Sequence, residues 1–132
     1  MDTRDLQITN TYFVERASFV NLFKEGNFQL QPSITKKIKL VDERTFDVSL
    51  KFEVKNSDER PFPFDIELVV TLRSHFDKEI LKDKELDEFL NITCVGMLYP
   101  YLRTCVTNLC TTSLVSPIIL PVADVKKILK EE

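Results

Sequence analysis

Residues 97–122 read MLYPYLRTCVTNLCTTSLVSPIILPV. Leu98, Tyr101, Leu102, Cys105, Val106, Leu109 and Cys110 recur at the three- and four-residue spacing of an amphipathic helix. Pro100 fits near a first turn, where an N–H would have no partner in any case. The opposite side carries Arg103, Thr104, Thr107, Asn108 and Thr111, so Arg103 is its only charge. Solvent faces are normally charged. A face of Thr and Asn can instead be buried a second time, provided its hydroxyls find partners. Residues 114–122 then carry Pro117 and Pro121 and are too short for a helix, so they read as an extended apolar segment. The stretch predicts a helix sandwiched between its own sheet and another copy of the chain.

Upstream the period changes from helical to two. Residues 28–40 (FQLQPSITKKIKL) place Phe28, Leu30, Pro32, Ile34, Ile38 and Leu40 at even positions, with Lys36 alone interrupting. Residues 45–54 (TFDVSLKFEV) alternate strictly, and Asp42-Glu43-Arg44 between the two runs marks an antiparallel hairpin. After the charged KNSDERP, residues 62–72 (FPFDIELVVTL) continue the alternation from Phe62 to Leu72. Pro61 and Pro63 confine the start of that strand to an edge or a strand entry. Residues 6–20 (LQITNTYFVERASFV) are less regular but rich in β-branched and aromatic side chains, and read as a first strand. Four consecutive strands with no room for parallel crossovers predict a meander. Residues 77–90 (DKEILKDKELDEFL) read as a charged connection with some helical tendency, or as a plain solvated linker. Residues 123–132 (ADVKKILKEE) predict a short terminal helix with Val125, Ile128 and Leu129 inward. The expected fold is α+β in one domain over residues 1–132: a four-stranded antiparallel sheet, a long helix on one face and a short C-terminal helix.

Composition narrows the function. With 43 % hydrophobic and 30 % charged residues the chain is globular rather than disordered. Eighteen basic against 21 acidic residues provide no field for a phosphate backbone, so nucleic acid is not an expected partner. Two glycines, Gly26 and Gly96, leave no Gly-rich phosphate cradle. Cys94, Cys105 and Cys110 read as buried thiols of a reducing cytosol. The single His75 is too distant in sequence to complete a metal site with them. A thiolate nucleophile needs an electropositive, accessible site, and Cys105 falls on a buried face, so no enzyme and no cofactor are expected. Nothing at the start resembles a signal peptide, and no apolar run reaches transmembrane length. These features predict a cytoplasmic protein without membrane insertion.

The helix MLYPYLRTCVTNL (97–109) resembles the "ILFPYARECI" helix of the bacterial protein-export chaperone family SecB, and IILPV (118–122) follows at the distance of that family's "LNLAPV". Phe19 in ERASF resembles the end of the family's first strand, and Leu30-Gln31-Pro32 stands where the family often has Trp-Gln-Pro. The resemblance runs along almost the whole chain. It implies a SecB-like fold and a homotetramer, a dimer of dimers, in which strands join edge to edge and the helices lie between the sheets. It also implies an ATP-independent holdase that keeps unfolded preproteins competent for Sec export by linking many weak apolar contacts. The client groove implied is Phe23, Phe28, Leu30, Tyr99 and Leu114, with ordinary core packing as the alternative for each. Ile66, Leu68 and Val70 correspond to a family strand that contributes to oligomer packing, or else form an ordinary sheet face. Arg103, Thr107 and Asn108 would complete the interface from the helix. Family members dock on SecA through acidic residues; here Arg16 and Val20 stand at such positions and Glu67 alone keeps the acid. Two other roles fit the residues: a relative dedicated to an antitoxin of a toxin–antitoxin system, and an adaptor that binds one folded partner through its sheet edge.

Overall fold

The alternation in the middle of the chain becomes three antiparallel strands. The computed structural model describes residues 7–121 and 129–131. Strands β1 (Ile8–Asn21), β2 (Ser33–Asp42), β3 (Thr45–Val54), β4 (Phe64–Phe76) and β5 (Leu129–Glu131) form one sheet in the order β1-β4-β3-β2-β5. The meander expected of four strands holds for β2, β3 and β4, whereas β1 lies along β4 rather than beside β2. Alternation fixes which face a residue takes but not which strand lies next to it. The Leu22 amide donates to the Pro63 carbonyl (2.9 Å), so the connection leaves β1 at the β4 side and crosses the sheet end to reach β2. A bulge between Val14 and Arg16 inserts Glu15 and explains the irregular pattern of β1.

One face of the sheet is the core. Val48, Leu50, Phe52 and Leu72 have no exposed surface, and Ile66 and Leu68 keep 1 % and 2 %. Against them lies a helical rod: α1 (Lys84–Glu88), a π-helical segment (Phe89–Cys94) and α2 (Val95–Thr112). The rod therefore starts well before Leu98, inside the stretch that reads from sequence as a connection. Asp83 caps it by accepting from the Leu86 amide (2.9 Å). A π turn absorbs one extra residue, rotating what precedes it by about 100°. This brings Leu86 and Leu90 onto the buried side with Leu98, Leu102 and Val106. Pro100 consequently lies inside α2, not at a first turn.

The Cys94 thiol meets the Ser74 hydroxyl (3.8 Å), while Leu98 and Val70 line one hollow. From those contacts α2 runs antiparallel to β4 and ends at the Phe64 end of the sheet. There the Val115 amide donates to the Cys110 carbonyl and the Leu114 amide to Thr111, both 3.1 Å. This is a Schellman closure, and it holds Leu114 at φ 65° where glycine is usual. The chain then doubles back along α2. Thr107 Oγ1 donates to the Ile118 carbonyl (2.9 Å), Arg103 Nε to Leu120 (3.0 Å) and the Tyr99 hydroxyl to Pro121 (2.9 Å). The expected C-terminal helix is corrected where the chain is described: Leu129–Glu131 is a strand pairing in parallel with Ile34–Lys36. Val125 and Ile128 lie outside the described residues.

Candidate functional site

Two connections meet the same end of the sheet: residues 22–32, leaving β1, and residues 113–117, leaving α2. In the first, an Asx turn (Phe23 N–H to Asn21 Oδ1, 2.7 Å) sets Phe23 at φ 54°, so that its ring is 87 % exposed. Leu114 is 93 % exposed for the same conformational reason. Gly26, at φ 131°, turns the crossover back beneath Phe28, whose ring would lie 3.7 Å from a Cβ placed there. Half-buried Phe28 meets Phe62 edge-on (6.4 Å between ring centres), Phe62 meets Phe64 (4.8 Å), and Phe64 meets Phe19 (4.9 Å). A row of aromatic rings thus floors this end, with Leu30 packed against the core beside it. Lys24 anchors the crossover through Asn56 Oδ1 (2.8 Å).

Of the residues expected to line a groove, Phe23 and Leu114 are exposed and Phe28 and Leu30 are half-buried, whereas Tyr99 is not available. Only 3 % of Tyr99 is exposed, its hydroxyl is spent on Pro121, and burial pushes its pKa up. Sequence reasoning missed Ile119, 76 % exposed between buried Ile118 and Leu120. The period of two in that extended segment is the signal that could have found it. A further hollow of about 520 Å³ opens between Ile38 and Leu40 of β2 and Leu86 and Leu90 of the rod, with Lys82, Asp83, Lys84 and Asp87 along its rim.

The residues expected at a subunit interface divide. Ile66, Leu68 and Val70 lie under the chain's own helix with 1–3 % exposure, as an ordinary sheet face does, and Val70 borders a hollow beside α2. Arg103 and Thr107 use their donors on the returning segment, and Asn108 is exposed. The solvent side of α2 is nonetheless as uncharged as its sequence. Thr104 and Thr111 donate to the carbonyls of Pro100 (3.1 Å) and Thr107 (3.0 Å), four residues back. Beside this face an apolar hollow of about 360 Å³ is lined by Tyr12, Val14, Leu98, Tyr101 and Cys105, with the Tyr12 and Tyr101 rings 4.5 Å apart. β5 covers the outer edge of β2, and β1 pairs only with β4 among the described residues.

Glu67, the expected docking acid, sits on the opposite sheet face and pairs with Arg16 at 2.9 Å. No group of three or more His, Cys, Asp or Glu among the described residues can hold a metal ion. Burial pushes the Cys94 thiol upward against a smaller opposing pull from Ser74, and burial alone raises Cys105; neither is an activated nucleophile. What the end of the sheet around Phe23 and Leu114 offers a ligand is apolar contact.

The sequence profile of the family described as preprotein translocase subunit SecB matches residues 3–132. The chain belongs to the SecB family. Members of this family are chaperones, not enzymes, which agrees with a site of exposed apolar side chains. Among solved structures, the chain is similar to the Mycobacterium tuberculosis SecB-like chaperone Rv1957 in complex with a ChAD peptide from the Rv1956 HigA1 antitoxin. That match has a TM-score of 0.70 and 15 % identity, covering 90 % of this chain and 91 % of the other. A protein of unknown function from Streptococcus agalactiae is similar at TM-score 0.53 and 11 % identity, over 88 % of this chain and 98 % of the other. At these identities both matches speak for the fold. Comparison with curated protein sequences gives no match. No helix among the described residues is long and apolar enough to cross a membrane.

Proposed function

We propose that this SecB-family protein is a nucleotide-independent holdase that binds non-native polypeptides in the cytoplasm and keeps them competent for export. Phe23, Leu114 and Ile119, with Phe28 and Leu30, serve as contact points for apolar client segments. One observation carries the reading: two large apolar side chains, Phe23 and Leu114, are held almost fully in water by left-handed backbone. That conformation costs roughly 1–2 kcal/mol per residue, and neither side chain is covered by the other described residues. A client supplies the missing partner. Burying each such side chain is worth about 1.5–3 kcal/mol, and several linked contacts on one unfolded chain raise avidity without sequence specificity. The working unit is a homotetramer, assembled on the uncharged side of α2 and the edge of β1.

The test is suppression of aggregation of several unrelated, chemically unfolded proteins without ATP, run beside light scattering for oligomer mass. Wild type is expected to suppress all of them, and Phe23→Ser with Leu114→Ser to lose most of the effect while staying folded. Failure to suppress any client, together with a single stoichiometric folded partner, would replace the holdase with an adaptor.

A second reading is a chaperone dedicated to one client, such as an antitoxin. Two observations favour it: the likeness to the Mycobacterium tuberculosis chaperone bound to an antitoxin peptide, and the ion pair that ties Glu67 to Arg16. Docking to SecA through Glu67 has to break that pair. Tight binding of one peptide, with no protection of unrelated proteins, would decide for the dedicated role.

A further inference from the structure

The sheet face turned away from the helix is not neutral. Alternate residues of four strands meet there in rows set by the register. Lys37, Ser49, Thr71 and Phe13 form one row, and Lys39, Asp47 and Arg73 the next. At their centre is a hollow of about 260 Å³ bordered by five cations, of which Arg16 and Lys51 pair with Glu67 (2.9 Å) and Glu53 (3.5 Å), and by the carboxylates of Glu15 and Asp47. Asp47 contributes little free charge, because both its oxygens accept from Arg73 (2.8 and 2.9 Å) and its side chain is 9 % exposed. Arg73 in turn lies over the Phe13 ring at 5.4 Å. Lys37 and Lys39 are exposed and make no ion pair among the described residues. Ser49 lines the hollow, and its hydroxyl meets that of Thr71 beneath it (2.8 Å). Thr71 is fully buried and Ser49 half-buried, so when Thr71 donates, the Ser49 proton is left for a ligand.

We propose that this hollow is a docking site for an acidic, extended segment of a partner polypeptide, separate from the apolar client contacts and independent of the holdase reading. Lys37 and Lys39 are alternate residues of a strand, so their side chains recur every ~6.7 Å. Alternate carboxylates of an extended peptide share that repeat. The charge pattern selects a short acidic segment over a long polyanion. Immediately beyond the cations stand Glu53, Glu67 and Asp65, the first two paired with Lys51 and Arg16, and the whole chain carries a net −3. A nucleic acid running past the hollow meets those carboxylates at once.

The experiment titrates a fluorescent, short poly-glutamate peptide into the full-length protein, following anisotropy at low and at high salt. A poly-glutamine peptide of equal length and a single-stranded oligonucleotide serve as comparisons. Poly-glutamate is expected to bind, to weaken as salt rises, and to weaken about tenfold or more in Lys37→Glu/Lys39→Glu and in the milder Lys37→Gln/Lys39→Gln. Amide shifts are expected at Ser49 and Thr71, with aggregation suppression left at the wild-type level. Equal binding of poly-glutamine, tighter binding of the oligonucleotide, indifference to both lysine variants, or shifts confined to α2 would each overturn the site.

Discussion

The Thr107 hydroxyl donates to the carbonyl of Ile118 at 2.9 Å, fastening the extended segment after α2 to the flank of the helix that precedes it. Thr107→Val keeps the shape and removes the donor, leaving a half-buried carbonyl without its partner. We expect a loss of about 1 kcal/mol in urea denaturation and faster amide exchange across residues 118–121. An unchanged midpoint and unchanged exchange would mean that apolar packing of Ile118 and Leu120 alone holds the segment.

Leu114 fills a position where the backbone favours glycine. Leu114→Gly should raise stability by about 0.5–1 kcal/mol while reducing protection of aggregating clients. Melting temperature and light-scattering kinetics on the same sample read the two effects. Opposite signs are the mark of a side chain kept for binding rather than for folding.

Gly96 lies inside the helical rod, and a Cβ there meets nothing within 4 Å. Gly96→Ala is therefore expected to stabilise the subunit by about 0.5–1 kcal/mol in denaturant melts. Destabilisation would show that another subunit approaches the backbone at this point.

Thr104 faces solvent with its hydroxyl turned back to Pro100. If α2 is buried between protomers, Thr104→Arg places an unpaired charge there at a cost of several kcal/mol. Sedimentation should then show assembly weakened by about a hundredfold or more, with secondary structure retained. A variant that assembles like wild type would remove this face from the interface.

Burial raises the pKa of Cys94, where Ser74 opposes it, and of Cys105, Tyr99 and Tyr12. All four are neutral in the folded chain at neutral pH. Below the ordinary thiol value of about 8.5 the unfolded chain is neutral at these groups too, and the stabilisation is fully present. Above it the unfolded chain ionises first, so stability falls as pH rises through the thiol and then the tyrosine range. Urea midpoints across this range should be level near neutrality and decline in alkali. Thiol titration of the folded protein at neutral pH should find no fast cysteine; one that reacts at once would reopen a nucleophilic role.

Much of the architecture was legible in the sequence because burial leaves a period. The alternation of residues 46–54 and 64–72 identifies the core face of β3 and β4, and the spacing from Leu98 to Cys110 identifies α2. The start of the rod was hidden because the π turn at Phe89–Cys94 shifts its phase, detaching Leu86 and Leu90 from the pattern. The exposure of Phe23 and Leu114 and the burial of Tyr99 were not legible in the sequence: the segment that covers Tyr99 folds back from residues 118–121. Ile66, Leu68 and Val70 stay open to both readings of the sequence for a related reason, since an apolar strand face fits the chain's own helix as well as a partner subunit.

The sequence by itself determined which side of each strand and of α2 avoids water, and that one side of the helix carries almost no charge. These are local properties, written in the order of side chains along a backbone of fixed repeat. Only the tertiary structure decided that β1 lies beside β4, that Arg103 and Thr107 bind their own chain, and that Lys37, Lys39 and Arg73 ring one hollow. Those outcomes depend on hydrogen bonds and charges between residues far apart in the chain, and no periodicity records which distant partner a strand or a side chain will meet.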